Sequence, residues 1–313
     1  MNFLGLGFEV GQEKTGVARS HHYFRRYFPF LSRHGIRVAD QGEVCTTQEG
    51  SQKIYSTSNI PSIDWRPYIE AYHKIKNLYK SSRMLLNWGG DHSVALSTVG
   101  AFCSQYPEGC VVWIDAHTDI NLPEHSLSGN LHGMPLSILL NVQDIGKAHF
   151  PWLTQRLSPE KLIYVGVRDL DPFEKQIVRE LGIKAYTASE VRRRGMPVIA
   201  HEIMSAVKNY PLHVSFDIDS LSPEHAPATG VHAAEGLDIG DLRCLGGVLS
   251  KHRNLRSVDI VEINPMLGTA GEVSQTYLAA LIFLMSIFNQ GEIYDGIGWS
   301  DQTVHSAQME SRP

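Results

Sequence analysis

A chain of 313 residues is about twice the usual ~150 per domain, yet within reach of one large α/β domain. Its 28 Lys+Arg against 33 Asp+Glu give a net charge of -5, which argues against a generic polyanion binder. With 42% hydrophobic and 19% charged residues, wholesale disorder is excluded and a sizeable core is possible.

In chain order, Phe3–Phe8 reads as a first strand rather than a signal peptide, because no basic segment precedes it and Glu9 follows at once. The run His21 to Phe28 mixes aromatic and basic residues in a way that could suit stacked RNA bases. Helical spacing instead makes Tyr23, Tyr27 and Leu31 a buried stripe with Arg25 and Arg26 outside. Ile36–Ala39 is the second strand candidate, followed by a polar insertion over 41–58 read as a surface loop. Tyr68, Tyr72, Ile75 and Tyr79 recur at helical spacing. Further strands are expected at Met84–Trp88, Val111–Asp115, Leu162–Val167, Ile183–Tyr186, His213–Asp217 and Ser257–Glu262, with Ile177, Val178 and Leu181 on a helix between two of them.

The last helix is expected after Glu272, with Leu278, Leu281, Ile282 and Met285 on its buried stripe. The longest apolar run, Tyr277 to Phe288, is 12 residues and too short to span a bilayer. Residues 291–313 form a polar tail. Cys45, Cys103, Cys110 and Cys244 make no C-x-x-C pair, so buried free thiols in a reducing compartment are expected. The resulting expectations are a cytoplasmic protein with no membrane or nucleic-acid partner, and one domain over 1–290. Its fold is a three-layer α/β/α sandwich around an eight-stranded, mostly parallel sheet.

Ligands of parallel sheets bind beyond the carboxyl ends of the strands. Five strand candidates deliver acid or imidazole to that rim: Gly89-Gly90-Asp91-His92-Ser93, Asp115-Ala116-His117-Thr118-Asp119, Arg168-Asp169-Leu170-Asp171, Asp217-Ile218-Asp219 and Glu262. In extended chain, Asp115, His117 and Asp119 would face one point, as would Asp217 and Asp219. The glycines before His92 permit a tight turn and close backbone approach. Asp91 would point the other way and is read as structural. Four carboxylates and two imidazoles without sulfur suit Mn²⁺, with Zn²⁺, Fe²⁺ or Co²⁺ also compatible. Four acids in one cavity repel unless cations neutralise them, and two divalent ions balance four carboxylates. Such a pair can bridge a water and lower its pKa from ~15.7 towards 7.

These motifs, with Ser128-Gly129-Asn130-Leu131-His132-Gly133, resemble the ureohydrolase family, and within it the arginases most, over roughly Phe3 to Asn289. The resemblance implies two Mn²⁺ per subunit. One would lie on His92, Asp115, Asp119 and Asp217, the other on His117, Asp115, Asp217 and Asp219. It further implies that Asp119 accepts a hydrogen bond from a metal-bridging hydroxide, that His132 shuttles a proton and that Glu262 grips a guanidinium. Asn121, Ser126 and Ser128 match positions contacting an α-carboxylate, Asp171 one contacting an α-amino group, and Glu174 supports that end. Agmatine has no carboxylate and would leave this cradle idle. The expected substrate is therefore L-arginine, cleaved to L-ornithine and urea by a homo-oligomer, trimeric or hexameric as is common in the family.

Two positions depart from the arginase pattern: Ser222 stands where Asp is common, and Val231 where Thr is usual near the guanidinium. They keep open a related ureohydrolase acting on formimidoylglutamate, agmatine or another guanidino acid. A non-catalytic metal-binding relative is the other reading, disfavoured because all six ligand positions are filled. A nucleotide-binding module is disfavoured because Gly5 to Gly11 lacks the dinucleotide spacing and Glu9 would repel a pyrophosphate.

Overall fold

The computed structural model describes residues 1–46, 53–81 and 84–288. Eight strands form one sheet: β1 Asn2–Gly7, β2 Ala39–Cys45, β3 Leu85–Trp88, β4 Cys110–Ile114, β5 Leu162–Val167, β6 Lys184–Thr187, β7 Leu212–Asp217 and β8 Leu255–Val261. Their order is β2-β1-β3-β8-β7-β4-β5-β6, and every pairing is parallel. β3, β4, β5 and β7 are buried along their whole length, as strands covered on both faces should be, with β4 and β5 apolar runs and Asn87, His213 and Ser215 the buried polar residues of the other two before the Asp217 end. One hydrophobic cluster packs the helices Met196–Val207, Ile239–Leu249 and Ala270–Ile287 on one face. A second packs Arg66–Tyr79, Ala95–Gln105 and Pro135–Leu139 on the other, which completes the three layers.

Several expectations need correction. The second strand is not Ile36–Ala39; it begins at Ala39 and runs through Cys45, into what was read as a loop. It is an edge strand that pairs with β1 alone among the described residues, and its sequence, Ala-Asp-Gln-Gly-Glu-Val-Cys, is mostly exposed. Residues 47–52 of the supposed insertion and all of the 291–313 tail lie outside the described residues. The first helical segment breaks into Ser20–Arg25 and Phe28–Arg33, so the buried side chains are His21, Phe24 and Leu31. Tyr23 and Tyr27 are only half-buried, and Arg25 is partly covered by ion pairs to Asp40 and Glu43.

The last helix starts at Ala270, because Thr269 caps it and Glu272 closes a capping box rather than preceding the helix. From Thr276 onward it is buried nearly all round, with Leu278 the half-covered exception, so it carries no single stripe. At 18 residues the helix is long and apolar enough to cross a membrane by length and composition, but 67% of it is buried inside the protein. Of the four thiols, Cys103 and Cys110 are buried as expected, while Cys45 on the edge strand is exposed.

Candidate active site

The five rim-facing segments follow β3, β8, β7, β4 and β5, which are five successive strands of the sheet. Their carboxyl ends therefore share one side of the molecule. Gly90 is required there: an added Cβ would lie 1.7 Å from the Phe8 carbonyl oxygen. The turn it permits lets the Asp91 N–H reach Phe8 O at 2.9 Å and places His92 at the end of β3. Asp91, wholly buried, accepts from Gly11 N (2.8 Å) and Ser93 N (3.0 Å), in keeping with a structural role.

His92 Nδ1 lies 3.1 Å from Asp115 Oδ2, 3.0 Å from Asp119 Oδ2 and 3.1 Å from Asp217 Oδ2. His117 Nδ1 lies 3.1 Å from Asp219 Oδ2 and 3.5 Å from Asp115 Oδ1. All six residues thus meet in one cluster. The means differ from the expected extended geometry. β4 ends at Ile114, and Asp119 has a left-handed φ of 46°. Asp217 is the last residue of β7, and Asp219 sits in the 3₁₀ turn that follows. Turns, not a period of two, aim these side chains.

The surroundings fix the cluster. His92 Nε2 is 2.8 Å from the Ser215 hydroxyl, so its Nδ1 faces the acids, and its ring stacks on Trp113 with centroids 3.9 Å apart. The Trp113 indole N–H donates to Asp115 Oδ2 at 2.9 Å. Backbone N–H groups of His117 and Asp219 donate to Asp115 Oδ1 (2.7 Å) and Asp217 Oδ1 (2.9 Å).

Burial and neighbouring carboxylates push Asp217 well above the usual range, and Asp119 up to about 6. Burial would lower His92 and His117, but the carboxylates around them hold both well above the ordinary imidazole value. Among the described residues His92 Nδ1 makes no hydrogen bond of good geometry despite three carboxylates within 3.1 Å. A buried nitrogen aimed at surplus acid is the arrangement a cation completes. Donor groups able to hold a metal are His92, Asp115 and Asp119, and Asp115, His117 and Asp219. His21, His22 and Glu43 also gather, but the Arg25 guanidinium already bonds Glu43 at 2.9 Å and lies 3.4 Å from His22 Nδ1.

Beside this cluster, Glu262 follows β8 with a left-handed φ of 65°. Its Oε1 accepts from the His92 backbone N–H at 2.8 Å and lies 2.9 Å from His132 Nδ1. Burial lowers His132, yet Glu262 outweighs it and raises this imidazole to about 9. Glu262 Oε2 accepts from Gln12 Nε2 at 2.5 Å. Gln12 escaped the sequence reading. It lies in a polar loop without periodicity and meets a residue 250 positions away.

The other predicted contacts fall on two facing loops. Asn121 Nδ2 donates to Asp171 Oδ2 at 2.8 Å, and the His125 ring stacks on Phe173 with centroids 4.0 Å apart. Glu174 accepts from Asp171 N (2.9 Å) and from the Thr118 hydroxyl (2.9 Å), and burial raises it to about 7. Ser126 and Ser128 lie 3.4 Å apart, their oxygens accepting from Gly129 N and Asn130 N in the turn they form. Val231, where a Thr was expected, points partly to solvent.

Comparison with known proteins gives one answer. Residues 1–288 match the model of the arginase family. Mouse arginase-1 is 32% identical over 300 residues, and the hepatic arginase of Aquarana catesbeiana 34% over 296, each alignment covering 92% of both chains. Among solved structures, Entamoeba histolytica arginase in complex with L-ornithine superposes with a TM-score of 0.78 at 28% identity, covering 90% of this chain and 97% of that one. A formimidoylglutamase from Bacillus subtilis, 18% identical with a TM-score of 0.74, shares the fold.

Proposed function

The chain belongs to the arginase family, a metal-dependent hydrolase of the amidinohydrolase type, and from that premise we propose that it cleaves L-arginine to L-ornithine and urea. The observation that carries this reading is the convergence of four buried carboxylates on two imidazoles, with Glu262 and His132 paired alongside. We assign two Mn²⁺ to it, one on His92, Asp115, Asp119 and Asp217 and the other on His117, Asp115, Asp217 and Asp219. Bound there, the pair supplies a water acidic enough to attack at neutral pH, which a resonance-stabilised guanidinium requires.

The protein's own groups supply the rest. Glu262, anionic and fixed from both oxygens, pairs with the guanidinium and orients its central carbon. His132, held protonated to about 9, gives its proton to the amine nitrogen that departs as ornithine. Asn121 and Asp171, already joined, form with Ser126 and Ser128 a polar rim for the α-amino and α-carboxylate groups, and Glu174 fixes the Asp171 backbone from below. We place the enzyme in the cytoplasm as a homo-oligomer, with one catalytic domain over 1–290 and a polar tail beyond it.

The test is a substrate panel on protein loaded with defined metals. Urea and ornithine should appear from L-arginine with Mn²⁺. No urea from arginine, with formimidoylglutamate, agmatine or 4-guanidinobutyrate consumed instead, would sink the substrate assignment and leave the chemistry standing.

A further inference from the structure

A carboxylate that grips a flat cation must present both oxygens in a fixed plane while keeping its full charge. Among the described residues Glu262 has two donors on Oε1, from His92 N–H and His132, but a single donor on Oε2, the amide of Gln12. Gln12 is 3% exposed and is held from both sides. Next to it, Gly11 donates to Asp91 Oδ2 at 2.8 Å and accepts from His132 N at 3.1 Å. Further along, the Lys14 ammonium donates to the Gly230 carbonyl, and Asn264 Nδ2 donates to Thr15 O at 3.1 Å. The loop 9–16 therefore straps across the segments that carry His92, His132, Gly230 and Glu262. Gly230 completes the seat: a Cβ there would lie 2.6 Å from Gln12 Oε1. The amide orientation is set by chemistry, since Oε1 facing the carboxylate would put two acceptors together.

We propose that Gln12 is a positioning residue for substrate recognition: its neutral amide fixes the Glu262 carboxylate for bidentate pairing with a guanidinium without cancelling its charge. The proposal rests on Glu262 holding the guanidinium. A cationic side chain at 12 would also donate, but would neutralise the acid that must attract the substrate. A residue of equal length without a donor would leave Oε2 free to rotate away. Either change weakens ground-state binding of the guanidinium more than it alters the chemical step.

Steady-state kinetics with L-arginine on the Mn²⁺-loaded enzyme test this, with metal content and thermal midpoint measured for every variant. Gln12→Met should raise KM about tenfold, the worth of one hydrogen bond to a charged group, with kcat within about twofold. Gln12→Lys should fail to restore KM although it keeps length and a donor, whereas a merely structural side chain would be replaced by either. Gly230→Ala should raise KM in the same direction by pushing aside the flexible end of Gln12, and it carries the test if the Gln12 variants do not fold. In a Glu262→Gln background, Gln12→Met should add no further rise. If Glu262→Gln raises KM but Gln12→Met and Gly230→Ala do not, the role of Gln12 is wrong and that of Glu262 stands. If Glu262→Gln leaves KM unchanged, the assignment of Glu262 itself has failed, and the proposal with it.

Discussion

β7 carries a buried meeting of histidine and carboxylate at each of its ends, and the two differ in stoichiometry. Near its start, His213 Nε2 lies 3.2 Å from Asp259 Oδ2, both residues fully buried, and Nδ1 lies 2.7 Å from the Ser257 hydroxyl. Asn87 donates to Asp259 Oδ1 at 2.7 Å and Thr98 to Oδ2 at 2.5 Å. One acid there meets one imidazole and enough neutral donors to satisfy it. At its other end, Asp217 joins a cluster of four acids around two imidazoles. With one acid to one imidazole, the first cluster has no surplus carboxylate even though His213 Nε2, like His92 Nδ1, makes no hydrogen bond of good geometry, and it joins β3, β7, β8 and the helix Ala95–Gln105. A cluster with surplus acid stays open to a cation. The distinction between structural and functional histidine thus rests on charge count, because His92 and His213 are equally buried.

The comparison breaks most visibly if the two ends are interchangeable. Asp115→Ala, which removes the acid that lies within 3.5 Å of both imidazoles, should abolish urea formation from arginine and lower bound Mn²⁺ below two per chain while the protein stays folded. Asp259→Asn should do the opposite. The variant's amide N–H would face a donor from which the carboxylate accepts, and an unsatisfied buried group costs about 1–3 kcal/mol, so its denaturant midpoint should fall, with Mn²⁺ content and KM for arginine retained. Full Mn²⁺ loading in the Asp115 variant, or lost metal in a folded Asp259 variant, would defeat the charge-count argument.

The same contrast separates what is legible in the sequence from what is not. The open site was legible because its residues follow strand ends in short motifs, Asp-x-His-x-Asp, Asp-x-Asp and Gly-Gly-Asp-His-Ser, and strand order places those ends together. The fold class was legible because β4 and β5 are apolar runs, which chain pattern alone identifies. The edge strand β2 was displaced because exposed strands lack that pattern and a register is set by the partner, here β1. The local geometry of the motifs was misread because extended periodicity holds only inside strands, and Asp119 and Asp219 lie just beyond them. Gln12 and the His213–Asp259 pair were invisible for one reason. Their partners lie 250 and 46 positions away, and nothing local marks a lone polar residue as buried.

Glu174 extends the same contrast, a buried acid outside the metal-binding groups whose proton is held by burial first and by Asp119 and Asp171 after it. Its partners are two neutral donors, the Thr118 hydroxyl and the Asp171 N–H. Burial raises it from 4.5 in the unfolded chain to about 7, so the folded protein binds its proton more tightly than the unfolded chain does. The stability this contributes is fully present below pH 4.5 and is lost as pH rises through 7, a change of about 3 kcal/mol. Glu174→Gln keeps an acceptor for the Asp171 N–H, offers its own N–H to the Thr118 hydroxyl, which can turn to accept, and cannot ionise. Denaturant unfolding from pH 4.5 to 8 should therefore show wild type losing stability relative to Glu174→Gln. A difference that stays flat across that window would mean the buried carboxyl is solvated well enough to ionise freely. Otherwise the three sites follow one rule for a buried acid: matched by one imidazole and neutral donors it stays structural, in surplus around two imidazoles it recruits metal, and between neutral donors it keeps its proton.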